Sequence, residues 1–188
     1  MDLTRLPDDL PAPADDSAAD HLAGARLPAV ALPATDGSVV ALDQLGAGRT
    51  ILYAYPLTGR PGTALPDDWD AIPGARGCTA EACAFRDHHS DLLAAGASAV
   101  YGLSTQDTDY QREAVDRLHL PFPMLSDESF ALTRAMDLPT FEVAGRALLR
   151  RLTMVVRDGV VEKVFYPVFP PDQHAAEVLA WLVRTPGS

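Results

Sequence analysis

The chain has 188 residues, of which 47% are hydrophobic, and it carries a formal net charge of −11. This composition is typical of a globular domain and excludes an intrinsically disordered protein. The negative charge argues against a nucleic acid or an acidic membrane as partner, since both attract a positive surface.

The first 23 residues are rich in proline, aspartate and alanine and show no sustained hydrophobic period. We expect residues 1–23 to form an acidic, flexible and loosely ordered tail, with the folded domain over residues 24–188. The start lacks a basic segment followed by an apolar core, so no secretory signal is expected. No stretch approaches the ~20 apolar residues that span a bilayer. The expected location is the cytoplasm, where cysteines stay reduced at rest.

The hydrophobic pattern of the folded part predicts alternating strands and helices. Apolar runs around Asp36-Gly37 predict a hairpin over 29–42, and a continuous apolar run predicts a buried strand over 49–56. A long loop rich in proline and glycine follows over 57–77. The later predictions, in chain order, are a helix over 78–96, a strand over 98–105, helices over 107–120 and 128–138, a strand hairpin over 147–168, and a helix over 172–183. This order predicts an α/β fold with a mixed central sheet and helices on both faces, the parallel strands preceding the antiparallel ones.

Both cysteines, Cys78 and Cys83, lie in the sequence GCTAEACAF at the start of a predicted helix. In a first helical turn, free N–H groups and the positive end of the helix dipole favour the thiolate of Cys78, which is the reactive form. Gly77 allows a close approach of the backbone, and Glu81 is placed to accept from the free N–H groups of that turn. The alternative for Cys78 is a small buried hydrophobic residue, which free cysteine often is.

The spacing of the two cysteines separates them on a helix. Five residues turn the side chains ~140° apart and place the Cα atoms ~7.5 Å apart along the axis, beyond the ~7 Å that a disulfide allows. The two thiols can bond only if the first turn unwinds, which suits a reaction in two stages. A zinc site that recruits His88 and His89 is disfavoured, because steps of five and ten residues spread the ligands around the helix.

The stretch YPLTG…GARGCTAEACAFRD resembles the peroxiredoxin active site. It is most similar to the Q-type, bacterioferritin-comigratory group, whose pattern is Y-P-x-x-x-T-x-x-C-T-x-E-x-C-x-F-R-D. The segments GARLPAVALPATDG and RLTMVVRDGVVEKVF are similar to two further parts of that family and occur in the right order. The resemblance covers roughly residues 24–183.

This resemblance implies a thioredoxin-like fold and a thiol-dependent peroxidase without metal, haem or flavin. The implied peroxidatic cysteine is Cys78, which a peroxide oxidises to a sulfenic acid, and the implied resolving cysteine is Cys83, which then forms an intrachain disulfide. Pro56 is implied to shield the thiolate and Arg151 to approach it, with Arg150 as the neighbouring alternative. The implied substrate is hydrogen peroxide or an organic hydroperoxide, and the implied partner is a thioredoxin-like or other thiol reductant. We expect a monomer or a homodimer.

The chain departs from the family pattern just before Cys78. The family places its proline seven residues before the cysteine, whereas Pro56 lies 22 residues before Cys78, which leaves an insertion of 15 residues. Ala75 stands where the family has a threonine whose hydroxyl contacts the peroxide and the thiolate. Thr58 and Thr63 are the candidates to replace that hydroxyl, and we expect them to bind substrate together with Gly77.

Two further hypotheses stay open at this stage. The first is a thioredoxin-fold disulfide oxidoreductase or redox sensor, which passes a Cys78–Cys83 bond to a protein partner. The second is a non-catalytic binding module, which needs no reactive thiol. The inserted loop is expected to form a short helical turn through Leu65, Trp69 and Ile72, to pack over the Cys78 pocket, and to restrict which peroxides or partners enter.

Overall fold

A mixed β-sheet forms the centre of the molecule. The computed structural model describes residues 5–7 and 9–187. The strands are β1 (Ala31–Pro33), β2 (Val39–Ala41), β3 (Arg49–Ala54), β4 (Ala97–Ser104), β5 (Met124–Ser126), β6 (Thr140–Val143), β7 (Arg146–Leu149), β8 (Leu152–Arg157) and β9 (Val160–Phe165). The helices are α1 (Cys78–Asp87), α2 (His89–Ala94), α3 (Thr108–Leu118), α4 (Ala131–Met136) and α5 (His174–Arg184).

Five of these strands form the central sheet, in the spatial order β5-β4-β3-β8-β9. The pairs β3–β4 and β4–β5 are parallel, whereas β3–β8 and β8–β9 are antiparallel. The predicted change from parallel to antiparallel pairing along the chain is therefore confirmed. The strand pairs β1–β2 and β6–β7 form two separate antiparallel hairpins.

Strand β3 is buried on both faces, as its continuous apolar sequence predicts. Because successive side chains point to opposite faces, Ile51 and Tyr53 enter one core, and Leu52 and Ala54 enter the other. Helices α1, α2 and α5 cover the first face, and α4 covers the second. The prediction of helices on both faces is confirmed.

The structure differs from the prediction at two elements near the site. The helix predicted over 78–96 is divided at His88, whose φ of −95° and ψ of 2° leave the helical region. The hairpin predicted over 147–168 is confirmed for β8 and β9, which turn at Asp158-Gly159. Its first residues instead belong to β7, whose partner β6 is too short and too evenly exposed to give a strand pattern.

Residues 9–23 pack against the body of the protein, which corrects the expectation of a loosely ordered tail there. Leu22 is fully buried in the core that also contains Leu52. The side-chain hydroxyl of Tyr166 donates to the carboxylate of Asp16 at 2.7 Å. These anchors are single side chains without a repeat, so a periodicity search passes over them. Residues 1–4 and residue 8 of the expected tail lie outside the described residues.

The insertion over 57–77 is held at both ends. Its predicted helical turn is present as a short 3₁₀ helix, Trp69–Ala71. Trp69 is buried with Leu57, Ala75 and Leu148, of which Leu148 comes from β7.

Within the part of the chain that the structure describes, no helix is long and apolar enough to span a bilayer.

Candidate active site

Cys78 is the first residue of α1 and is 3% exposed. The preceding Gly77 has a φ of 108°, a conformation that L side chains rarely adopt. A Cβ at Gly77 would lie 2.4 Å from the Cγ of Pro171. Glycine is therefore required at this position, and it lets the chain enter α1 tightly against the residues that precede α5.

Arg151 contacts the Cys78 thiol directly. Its Nη2 lies 3.2 Å from Cys78 Sγ and also donates to the backbone carbonyls of Ala75 and Arg76, at 3.3 Å each. Its Nη1 forms an ion pair with the carboxylate of Glu81. The neighbouring Arg150 instead donates from Nε to the backbone carbonyl of Thr140 at 3.2 Å. Of the two candidate arginines, the structure thus brings Arg151 to the thiol.

Glu81 has a different place from the one expected. Its side chain is fully buried and binds Arg151, instead of accepting from the free N–H groups of the first turn of α1. Burial raises the pKa of the Glu81 carboxyl, and the positive charge of Arg151 is the main effect that opposes that rise. A buried carboxylate needs such a partner, and the pairing fixes the guanidinium beside the thiol.

Opposing effects act on the pKa of the Cys78 thiol. Burial raises this pKa, as does the negative charge of Glu81. The positive charge of Arg151 and a hydrogen bond from the backbone N–H of Leu57 lower it. Arg151 is therefore the main group that favours the thiolate in this buried position.

In the described part of the chain, neither candidate threonine forms a hydrogen bond with the Cys78 thiol. Thr58 is fully buried, but its backbone N–H and its hydroxyl donate to Oε1 of Gln106, at 3.0 Å and 3.1 Å. Thr63 is exposed and lines an outer cavity of the insertion. Ala75, which stands at the position of the family's threonine, contacts the thiol through its backbone: its carbonyl oxygen lies 3.6 Å from Cys78 Sγ.

Cys83 lies on the same helix and is half-buried, and both cysteines are free thiols. Burial raises the pKa of the Cys83 thiol, and the positive charge of Arg86 opposes that effect. Pro56 is buried two residues after the end of β3 and immediately before Leu57. The pocket beside Cys78 holds only about 10 Å³ and is lined in part by Leu57, Leu65 and Trp69. Residues of the segment 57–77 thus line the pocket at the thiol, as the expected packing of this segment over Cys78 requires.

Comparison with known proteins decides the family. The redoxin family matches residues 22–179 of the chain. The putative peroxiredoxin bcp of Coxiella burnetii is 30% identical over 163 residues, which cover 85% of this chain and 97% of that protein. The chain belongs to the redoxin family, as a Q-type peroxiredoxin.

Further relatives agree with this assignment. The chloroplastic peroxiredoxin Q of Suaeda salsa is 30% identical over 159 residues, which cover 85% of this chain and 66% of that protein. The chain thus spans about two thirds of the length of the chloroplastic relatives. The crystal structure of peroxidoxin BcpB from Mycobacterium tuberculosis matches with a TM-score of 0.69 and 26% identity, covering 88% of this chain and 98% of that one. A structure of Xanthomonas campestris peroxiredoxin Q matches with a TM-score of 0.63 and 26% identity, covering 83% and 93%. The predicted thioredoxin-like fold is confirmed.

Two polar residues of this peroxiredoxin's site were missed by sequence reasoning. Gln106 holds the backbone and hydroxyl of Thr58. His174, at the start of α5, is buried, and its Nε2 lies 2.8 Å from the hydroxyl oxygen of Thr153. Neither residue stands in a motif, since only the fold brings Gln106 to Thr58 and His174 to Thr153.

Proposed function

We propose that this peroxiredoxin is a thiol-dependent peroxidase with Cys78 as its nucleophile. The observation that carries the proposal is the buried guanidinium of Arg151, 3.2 Å from Cys78 Sγ and fixed by Glu81 and by backbone carbonyls of the preceding loop. A cation held in place where water is excluded stabilises both the thiolate and the negative charge that develops on the peroxide oxygens.

The proposed reaction begins with attack of the Cys78 thiolate on the terminal oxygen of hydrogen peroxide or of an organic hydroperoxide. The S–O bond forms as the O–O bond breaks, and the other oxygen leaves as water or an alcohol after taking up a proton. Leu57 lines the narrow pocket beside Cys78, and the proposal gives the preceding Pro56 the role of shielding the thiolate from bulk water. The first step therefore ends with a sulfenic acid on Cys78.

In the second step the Cys83 thiol attacks the sulfenic acid, water leaves, and an intrachain disulfide forms. Both cysteines lie on α1, so the turns between them must open before the sulfurs meet. A thioredoxin-like or other thiol reductant then restores both thiols by disulfide exchange. We also propose that the protein is cytoplasmic and that it is a monomer or a homodimer.

The test is peroxide consumption by the purified protein with thioredoxin and its reductase. We expect Cys78→Ser to lose all consumption, because a serine hydroxyl is not ionised near neutral pH. The matched variant, Cys83→Ser, should oxidise Cys78 once and stop at a sulfenic acid that a dimedone-type probe captures. If Cys78→Ser keeps activity while Cys83→Ser loses the first oxidation, the two roles are reversed. Disulfide exchange without peroxide turnover by the unmodified protein would instead select a disulfide oxidoreductase.

A further inference from the structure

A large cavity lies on the outside of the insertion. It holds about 660 Å³ and is lined by residues 60–70 and by Arg76. This volume is in the usual range for small-molecule sites, ~300–1,000 Å³. Hydrogen peroxide has no organic part and makes no use of such a space.

The cavity adjoins the catalytic thiol. Leu65, Trp69 and Arg76 line both the large cavity and the narrow pocket of about 10 Å³ that contains Cys78. The narrow pocket has room for about one water molecule at most, so an alkyl or aryl group does not fit beside Cys78 in this structure. Trp69 and Arg76 are buried, whereas Leu65 is only half-buried and so is the residue of the three that can move most easily.

The insertion is fixed on both sides, so the cavity has a defined place in the fold. On one side the guanidinium of Arg60 lies 5.1 Å from the centre of the Tyr110 ring, on α3. On the other side Trp69 packs against Phe141 of β6, with ring centres 6.2 Å apart. The cavity is therefore not an arbitrary gap in a free loop.

The charges on the walls favour an uncharged ligand. The lining contains two arginines, Arg60 and Arg76, and three aspartates, Asp67, Asp68 and Asp70, which leaves one net negative charge. Arg76 is already bound by Asp70, at 3.1 Å. A carboxylate would meet repulsion from these walls, whereas the apolar side chains at the inner end offer contact to a hydrocarbon group.

We propose that the insertion forms a binding site for the organic part of an uncharged alkyl or aryl hydroperoxide, with Leu65 as the gate between this site and Cys78. This inference rests on the proposed peroxidase function. The hydroperoxide transfers its terminal OH to the Cys78 sulfur, the O–O bond breaks, and the remaining alkoxide takes a proton and leaves as the alcohol. Cys78 is oxidised by two electrons and the peroxide is reduced by two.

The test uses single-turnover oxidation of the reduced full-length protein, without any reductant, by cumene hydroperoxide and by hydrogen peroxide. Ala64 is exposed and lines the cavity, so Ala64→Trp fills the cavity without disturbing the core. We expect Ala64→Trp to lower the rate constant for cumene hydroperoxide by about tenfold or more, on the scale by which pocket contacts discriminate substrates. The rate constant for hydrogen peroxide should stay unchanged. Leu65→Ala should raise the rate constant for cumene hydroperoxide.

The matched control is Ala71→Trp, which adds the same side chain at an exposed residue of the insertion outside the cavity lining. It should leave both rate constants unchanged. Equal effects of Ala64→Trp on both peroxides, or no effect, would overturn the inference while leaving the peroxidase function standing. So would a preference for a fatty-acid hydroperoxide over cumene hydroperoxide that depends on Arg60. Absence of reaction with either peroxide in the unmodified protein would instead defeat the proposed function itself.

Discussion

At the scale of single residues, one guanidinium connects all parts of the site. Arg151 binds the thiol, the Glu81 carboxylate, and the carbonyls of Ala75 and Arg76. These contacts restrict where the cation can lie, and a fixed charge needs no reorganisation during the reaction. The positions of the thiol, the preceding loop and α1 therefore all depend on this side chain.

The first prediction concerns the pH dependence of Cys78. Arg151 lowers the pKa of the thiol, so Arg151→Met should raise this pKa further above its usual value. Because the thiolate is the reacting form, the rate of alkylation should then rise only at more alkaline pH than in the unmodified protein. The rate of peroxide reaction at neutral pH should fall by ~10²-fold or more. Iodoacetamide kinetics across pH measure the shift.

Arg150→Met is the control for this prediction. Its guanidinium donates to the carbonyl of Thr140 and not to the thiol, so the pH profile should stay where it is. A shifted profile in Arg150→Met together with a normal one in Arg151→Met would exchange the roles of the two arginines.

The second prediction concerns Glu81. Glu81→Gln keeps the size of the side chain but leaves the buried charge of Arg151 without its counter-ion. Breaking a buried ion pair in this way typically lowers the free energy of unfolding by ~3–5 kcal/mol. Urea denaturation of the reduced protein measures the change. The exposed Glu177, which contacts His174, gives a control: Glu177→Gln should change stability by ~1 kcal/mol or less. A loss that small for Glu81→Gln would show that Glu81 is not the ionised partner.

Some residues of the site can be predicted from the sequence and others cannot, because only some of them lie in a local motif. Cys78 and Cys83 lie in one local motif, and a local motif is visible in a single sequence. Glu81 is visible too, but its expected hydrogen bonds to the helix start were wrong, since its carboxylate pairs with Arg151, which lies between β7 and β8, 70 residues further along the chain. Gln106 leaves no sequence signal, because its function depends on a contact that only the fold creates.

At the scale of elements, α1 has two parts of different packing. Its first turn carries Cys78 behind a glycine, with no side-chain cap. Its later part is anchored by Phe85, whose ring stacks on Tyr53 with centres 4.3 Å apart and planes 11° apart. The first turn is also buried, since Cys78, Thr79, Ala80 and Glu81 are at most 4% exposed, and its opening breaks the Glu81–Arg151 ion pair. Because both cysteines precede Phe85, the turns between them can open while the stack of Phe85 on Tyr53 stays in place.

The third prediction follows from this difference within α1. When a Cys78–Cys83 disulfide forms, the amides over 78–84 should lose their protection from hydrogen exchange. The amides over 85–94 should keep theirs, because Phe85 and Leu92 stay buried. Exchange measured by mass spectrometry in both redox states tests this. Peroxide-treated Cys83→Ser is the control and should keep the protection of reduced protein. Unchanged protection over 78–84 after the disulfide has formed would contradict the unwinding scheme.

Strands and helices were predicted well where their apolar pattern is long, and poorly where it is short. The buried strand at β3 and the amphipathic helix α3 follow directly from their sequences. The hairpin β6–β7 was missed, because its strands have four residues each and β6 alternates only between exposed and half-buried positions. Such strands are fixed by their partners and not by their own composition.

At the scale of the whole molecule, the N-terminal segment is part of the fold. Leu22 is fully buried in the core on the α4 side of the sheet, and Ala19 is 3% exposed beside it. The segment therefore contributes apolar contacts that close one face of the sheet. Its acidic and proline-rich composition predicts a flexible tail instead. A composition describes the segment as a whole and does not show that a few of its residues are buried.

The fourth prediction tests this contribution. Leu22→Ala removes a fully buried side chain and should lower the free energy of unfolding by ~2–5 kcal/mol. His21→Ala, at the exposed neighbouring residue, loses a contact with the carbonyl of Met136 and should cost less. Thermal unfolding of both variants measures the difference. A Leu22→Ala protein as stable as the unmodified one would restore the expectation of a loosely ordered tail.

The N-terminal segment also touches the loop that precedes Cys78. The Cδ2 of Leu6 lies 3.0 Å from the position of a Cβ on Gly77, and Pro13 carbons lie 3.5 Å from that position on Gly74. If α1 unwinds as proposed, a movement of Gly77 would change the surroundings of Leu6. A fluorophore attached beside Leu6, by chemistry that does not modify thiols, should therefore differ in fluorescence between the reduced and the oxidised protein. The N-terminal segment would then report the redox state of Cys78 and Cys83.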